Sequence, residues 1–253
     1  MAGGVTNECR TIAVFPEAMM PTTPRACPVC GSTLDMVFRS VLWTELGDLW
    51  ELSPEEFKYV NHQQGVLCQA CGCNLRAQAL GLAITQAFGH RGPFRKFVRT
   101  IRGRWLRVLE INQVGALSGH FSRLSRKELR VYPELDMMKM NLPDARYDLV
   151  IHSDTLEHIP DPVQALRECL RVLKPGGFCG FTVPIVVGRL TRSCEGRPPS
   201  YHGDPAEPRE DYRVHTEYGA DAWRQVIEAG FAEARIVAVK PPTAHAIVGR
   251  KSF

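Results

Sequence analysis

A doubly wound α/β sheet carrying a small cysteine-based module at its front is predicted by three observations. Residues 147–184, YDLVIHSDTLEHIPDPVQALRECLRVLKPGGFCGFTVP, read in order as strand, loop, amphipathic helix, tight turn and strand. A second short apolar run, LRVLEI (106–111), lies upstream at a spacing suited to an earlier strand of the same sheet. Two Cys-x-x-Cys-Gly pairs stand well outside that region. Short apolar strands alternating with amphipathic helices are the pattern of a mostly parallel sheet covered on both faces.

Each element has a local reason. YDLVIHS is an apolar run ending in polar residues, as a buried parallel strand does where it opens into a site. Asp161 caps the next helix and Pro162 takes its first position, where a missing N–H costs nothing. Val163, Leu166, Leu170 and Leu173 then recur on one face. Lys174-Pro175-Gly176-Gly177 stops the helix and turns the chain into FCGFTVP.

Length and composition bound the function classes. At 253 residues the chain can bury a full core, with one main domain and a small appendage. Its longest apolar runs are too short to span a bilayer. The opening MAGGVTNECRTIAVF lacks a charged start followed by an apolar core, which predicts no signal peptide and a cytoplasmic location. Nine cysteines, an odd number with two inside the apparent α/β core, do not read as a secreted disulfide framework. A net charge of +4 neither demands nor excludes nucleic acid.

Cys27-x-x-Cys30-Gly31 and Cys68-x-x-Cys71-Gly72 are two knuckles, each able to place two thiolates on one metal. Together they give four sulfur ligands for a structural, tetrahedral zinc with no open position. Cys73 is a fifth candidate that could replace Cys71, and reduced buried cysteines without metal are the plain alternative. The insert between the knuckles, WTELGDLWELSPEEF, suggests a small helical or hairpin excursion. AQALGLAITQAF (77–88) reads as a helix linking this module to the main domain. Arg91, Arg95, Lys96, Arg99, Arg102 and Arg104 follow. They form either a contact for RNA or an acidic substrate, or a solvated face around Phe94, Phe97, Val98 and Ile101, and the second reading is preferred.

The LEHI, RVLKPGG and TVP wording of residues 147–184 resembles the class I S-adenosylmethionine-dependent methyltransferases, some of which carry an N-terminal cysteine ribbon. The resemblance implies a seven-stranded, mostly parallel Rossmann-like sheet behind a zinc ribbon. It divides the chain into 1–75 (ribbon at 27–73), a helix and basic connector at 76–104, and a cofactor-binding domain at 105–253 with an acceptor loop at 188–218. By the same resemblance LRVLEI is the first strand, Glu110 matches the family's acidic position and Gly115 the last glycine of the cofactor turn. Asn112 replaces the first glycine, the middle one is missing, and the loop is one residue short. Asparagine tolerates positive φ better than most residues, so the turn can survive. Ala116–Leu124 is the expected helix after it. Leu129–Asp136 is expected to hold the second strand, with Glu134 as candidate for the ribose hydroxyls. Asp136 is the candidate beside the adenine amino group, and Met137 packs on the adenine face. His152, Ser153 and Asp154 follow the fourth strand, near the methyl group to be transferred. His158 of LEHI serves either as a structural pin or as a general base.

After Pro184 the chain is rich in Gly, Pro, Arg and His and lacks an apolar period, as an acceptor lid does. Tyr201-His202-Gly203-Asp204 and Val214-His215-Thr216-Glu217-Tyr218 are its most distinctive pieces. His202 and His215 are candidate bases, with surface histidines as the alternative. Ala220–Phe231 reads as an amphipathic helix, and ARIVAVK with AHAIVGR as a closing antiparallel pair. The expected reaction is methyl transfer from S-adenosylmethionine to a hydroxyl or amine of a small or carrier-borne acceptor. A non-catalytic zinc-ribbon scaffold on a decayed fold is the second reading, and an RNA methyltransferase the third. The chain has no N-P-P-[YF] tetrapeptide, which disfavours amide and base-amine acceptors.

Overall fold

The computed structural model describes residues 26–122, 124–202, 209–239 and 244–253. Residues 1–25, and Gly203 and Asp204 of the acceptor loop, lie outside the described residues.

Strand β1 (Met36–Phe38) pairs antiparallel with β2 (Val66–Cys68) and closes the cysteine module. The insert between them is helical: α1 (Thr44–Leu49) and α2 (Pro54–Gly65). Ser53 caps α2, accepting from the Glu56 N–H while the Glu56 carboxylate accepts from the Ser53 N–H, and Pro54 starts the helix. Helix α3 (Leu75–Ala87) follows, capped by Asn74 Oδ1, which accepts from Ala77 N at 2.8 Å. Ten of its residues, from Leu75 through Thr85, are buried. A helix buried on most of its circumference is an interior helix, and α3 packs across the main sheet.

Short helices α4 (Phe94–Phe97) and α5 (Ile101–Trp105) lead into β3 (Val108–Ile111). Phe94, Phe97 and Val98 are buried in the core, whereas Ile101, expected beside them, is 82% exposed. Next come α6 (Ser118–Phe121), β4 (Lys127–Arg130), β5 (Tyr147–Ser153), α7 (Pro162–Val172) and β6 (Leu173–Thr182). Asp161 Oδ1 caps α7, accepting from Gln164 N at 2.9 Å. The chain continues through β7 (Ile185–Val186), β8 (Arg192–Ser193), β9 (Thr216–Gly219), α8 (Trp223–Glu228), β10 (Glu233–Val239) and β11 (Ala244–Arg250).

The main sheet has the order β10-β11-β6-β5-β3-β4. Strands β4, β3, β5 and β6 run parallel, and β11 and β10 close the edge antiparallel. Side chains alternate between two cores as the period of two requires. Val108, Leu149, Ile151, Ala246 and Val248 face α3 and the cysteine module. Leu109, Val150, Phe181 and Ile247 face α7 and α8. A third cluster, Leu46, Trp50, Val60, Val186 and Val214, joins the insert to the acceptor loop.

Several expectations are corrected. The main sheet has six strands among the described residues, not seven. The 16 residues between β4 and β5 form turns, too short a run for a further strand with a crossover on either side. The second strand is Lys127–Arg130 rather than part of 129–136, because Pro133, with no N–H, cannot extend the ladder. The helix after the cofactor turn shrinks to a 3₁₀ turn (Gly115–Leu117) and the four residues of α6. The Lys174–Gly177 turn is absorbed into β6 beside a register shift at Tyr147/Leu149, with Gly176 at φ 72°. The acceptor segment is not irregular throughout: β7, β9 and β8 form a small sheet. Helix α8 covers only the middle of the expected 220–231 span.

Leu80 is fully buried at the centre of α3. Leu80→Ala is expected to lower the unfolding free energy by about 2–5 kcal/mol, read by chemical denaturation.

Candidate active site

The carboxyl ends of β3, β4, β5 and β6 share one edge of the sheet because the strands are parallel. The residues that follow each strand line a single cleft of about 1050 Å3: Asn112 and Gln113 after β3, Tyr132 after β4, Asp154 and Thr155 after β5, Pro184 after β6. That is the edge at which ligands bind in doubly wound sheets.

The turn after β3 forms despite its missing glycines. Asn112 (φ 52°) and Gly115 (φ 56°) both take the left-handed conformation, which Asn and Gly enter at least cost. Asn112 Oδ1 accepts from Tyr132 N at 3.0 Å, tying the ends of β3 and β4 together. Glu110 is fully buried beneath the turn. One of its oxygens accepts from Val114 N at 3.1 Å and from Ser118 Oγ; the other receives Lys127 Nζ at 2.7 Å. Its carboxylate therefore braces the turn from behind and does not line the cleft.

Of the other cofactor candidates, Asp136 and Met137 line the cleft. Asp136 Oδ1 accepts from Met138 N at 2.8 Å, capping its own loop. Gly115, Glu134 and Ser153 are not among the lining residues. Glu134 is exposed and lies four residues beyond the end of β4, so Tyr132 occupies the edge where an acidic side chain was expected. Ser153 Oγ is engaged with Thr182 Oγ1 at 2.8 Å and Asp154 Oδ2 at 3.1 Å. His152 does not reach the site: it lies within β5, fully buried, with its ring stacked on Phe181 at 4.9 Å.

All three histidine candidates line the cleft. His158 and His202 are in contact, Nε2 of the first lying 3.1 Å from Nδ1 of the second. His158 Nδ1 donates to the Arg213 carbonyl at 2.9 Å, a contact that requires the proton on that nitrogen. His202 is fixed by its backbone, which donates to Tyr212 O at 2.9 Å, and by Trp50, whose ring centroid is 5.0 Å away. Burial lowers the pKa of both rings, and the neighbouring His158 and Arg76 lower His202 further. Burial, with Arg213 nearby, lowers His215 as well.

Sequence reasoning named Asp154 but not the buried Arg76 and Glu157 that join it in a charged floor beneath these rings. Arg76, 1% exposed, comes from the first turn of α3 and meets Asp154 Oδ1 at 2.6 Å. Glu157 of LEHI is buried too; desolvation, reinforced by Asp154, pushes its carboxyl up to about 8. The available signal was an arginine opening an otherwise apolar helix, since a buried charge needs a partner. Trp43, Leu46 and Trp50 of the insert form the far wall of the cleft.

Across the molecule, the Sγ atoms of Cys27, Cys30, Cys68 and Cys71 all lie within 4.8 Å of one another. Cys27–Cys71 are 3.9 Å apart and Cys30–Cys68 3.8 Å. Four sulfurs at about 2.3 Å from one tetrahedral ion stand about 3.8 Å apart, so the set fits zinc. Gly31 (φ 80°) and Gly72 (φ 70°) close the two knuckles in equivalent left-handed turns. Cys73 is outside this set and completely buried.

Residues 97–181 match the family model described as "Methyltransferase domain". A ubiquinone biosynthesis O-methyltransferase of Leptothrix cholodnii is 32% identical over 141 residues, 53% of this chain and 53% of that one. One from Albidiferax ferrireducens is 26% identical over 143 residues, 54% of this chain and 50% of that one. A probable S-adenosylmethionine-dependent methyltransferase of Mycolicibacterium smegmatis is 43% identical over 58 residues, 21% of this chain and 23% of that one. The chain thus spans about half or less of the length of these relatives. No helix among the described residues is long and apolar enough to cross a membrane. The matched domain over residues 97–181, and the parallel sheet whose carboxyl edge opens into one cleft, make this part of the chain similar to the S-adenosylmethionine-dependent methyltransferases.

Proposed function

We propose that the chain transfers a methyl group from S-adenosylmethionine to a hydroxyl, or alternatively an amine, of a small-molecule or carrier-borne acceptor. One observation carries this reading: a single cleft joins the turn after β3 to the wall formed by His158, His202, His215, Trp43 and Trp50. The two halves suit two different ligands. Asn112, Asp136 and Met137 would hold the cofactor, whose positively charged sulfur makes its methyl carbon electrophilic. Glu110 and Gly115 shape the turn, Ser153 steadies the end of β5, and Glu134 lies outside the cleft lining.

The acceptor would lie against the aromatic wall. Much of the acceleration in such a displacement comes from holding the two reactants in line. A proton must also leave a hydroxyl acceptor, and the lone pairs of neutral His158, His202 and His215 are the candidate recipients. Two of the relatives are named for oxygen methylation, which favours the hydroxyl.

A structural zinc on Cys27, Cys30, Cys68 and Cys71 completes the proposal. Four thiolates leave no open position, so the ion would serve the fold alone. The ribbon (27–73) within residues 1–75, the connector at 76–104 and the cofactor domain at 105–253, with acceptor residues at 188–218, are the units assigned on this reading.

Calorimetric titration is expected to give micromolar binding of S-adenosylmethionine and of its demethylated product. Asp136→Ala is expected to weaken it about tenfold, a loss of about 1.4 kcal/mol. A well-folded protein that binds neither at millimolar concentration rejects the reading in favour of the scaffold alternative. For the metal, cobalt-substituted protein is expected to show thiolate charge-transfer absorption, and Cys68→Ser to remove that band and lower the melting temperature.

A further inference from the structure

Glu157, His158 and His202 converge more closely than proton transfer requires. Their ligand atoms all lie within 4.8 Å of one another. Glu157 Oε1 is 3.9 Å from His158 Nε2 and 3.7 Å from His202 Nδ1, and those two nitrogens are 3.1 Å apart. The His158 proton is committed to the Arg213 carbonyl, which leaves the Nε2 lone pair facing the group. Glu157 is 1% exposed, and neither of its carboxylate oxygens has a hydrogen-bond partner among the described residues. A buried carboxyl left in that state takes up a proton, is paired or coordinates a metal. Arg76, whose charge also acts on Glu157, is paired with Asp154 at 2.6 Å.

We propose that Glu157, His158 and His202 form a second metal site, for a first-row divalent transition ion, in the acceptor half of the cleft. The inference rests on the reading of that half as the acceptor site. Two imidazoles and one carboxylate suit iron, zinc and related ions rather than magnesium or calcium. Donors that share an ion at about 2.0–2.2 Å stand about 3.0–3.5 Å apart, so the trio needs to close by only a few tenths of an ångström. Three protein ligands leave coordination positions open, and both His158 and His202 line the cleft.

The open positions give the site its use. With the His158 and His202 lone pairs on the ion, an acceptor hydroxyl, phenolic or one of a vicinal pair, ligates it through oxygen and releases its proton to His215 or to water. That oxygen then forms a bond to the methyl carbon as the carbon–sulfur bond breaks. Sulfur keeps the bonding electron pair and leaves as the neutral thioether. Trp50, packed on the His202 ring, and the backbone contact of His202 to Tyr212 hold the ligand in place.

Cobalt titration of the full chain tests this, because the two sites have different spectra. The first equivalent is expected to give the thiolate charge-transfer band of the four cysteines. The second is expected to give a weaker ligand-field band without thiolate character. Glu157→Gln and His202→Ala are expected to keep the thiolate band, which reports that the chain is folded. Both should weaken the second band's affinity by at least about 100-fold, since loss of an outer partner alone costs about 10- to 100-fold. A wild-type chain showing no second band, or variants that retain it unchanged, overturns the inference. S-adenosylmethionine affinity measured on the same samples separates the two readings. Cofactor binding without a second ion leaves methyl transfer standing and rejects this site; a second ion without cofactor binding does the reverse.

Discussion

The burial of α3 is the constraint on which the rest of the structure depends. The helix lies between the cysteine module and one face of the main sheet, and Leu80 and Ile84 share a core with Val29, Val108 and Val248. Its interior position forces every polar group it carries to find a partner. Asn74 caps its N-terminus, Gln78 donates to the Cys73 carbonyl, and Arg76 is carried into the cleft to meet Asp154. The cysteine knuckles set where α3 begins, α3 sets where Arg76 sits, and Arg76 sets the charge balance under the cleft. The module is therefore continuous with the core rather than appended to it.

A second constraint acts at the turn after β3. With one glycine in place of the expected set, the backbone still takes two left-handed residues, because Asn112 and Gly115 stand where they are needed. Glu110 compensates from below: its carboxylate accepts from a backbone N–H and a serine hydroxyl and pairs with Lys127 of the neighbouring strand. A fully buried carboxylate with that many donors acts as a structural brace. The same residue type at the same strand end can thus support a ligand site without touching the ligand.

The acceptor wall is assembled from parts far apart in the chain. Trp50 lies in the insert between the knuckles, His158 follows β5, and His202 is held by a bridge between Tyr201 and Arg213. Arg189 reinforces the join through Glu56 at 2.7 Å and the Trp50 carbonyl at 2.9 Å. An insert that reads in sequence as an excursion from the ribbon becomes one side of the cleft because Leu46, Trp50 and Val60 bury themselves against Val186 and Val214.

What the amino-acid sequence determined by itself was local: the strand–helix–strand unit at 147–184, the cap of α7, the two glycine knuckles and the left-handed turn at Asn112. Each depends on neighbours within a few residues, and its pattern is written there. The parallel sheet edge, and with it the place of Asn112, Asp136 and His158 on one cleft, was legible through the same unit. Only the tertiary structure decided that Glu110 faces inward, that Glu134 misses the cleft and that His152 belongs to the core. It alone also brought Arg76, Trp50, Glu157 and His202 together. Those placements come from long-range burial and charge pairing, and no periodicity in the chain encodes which distant side chain will meet a buried arginine or carboxylate.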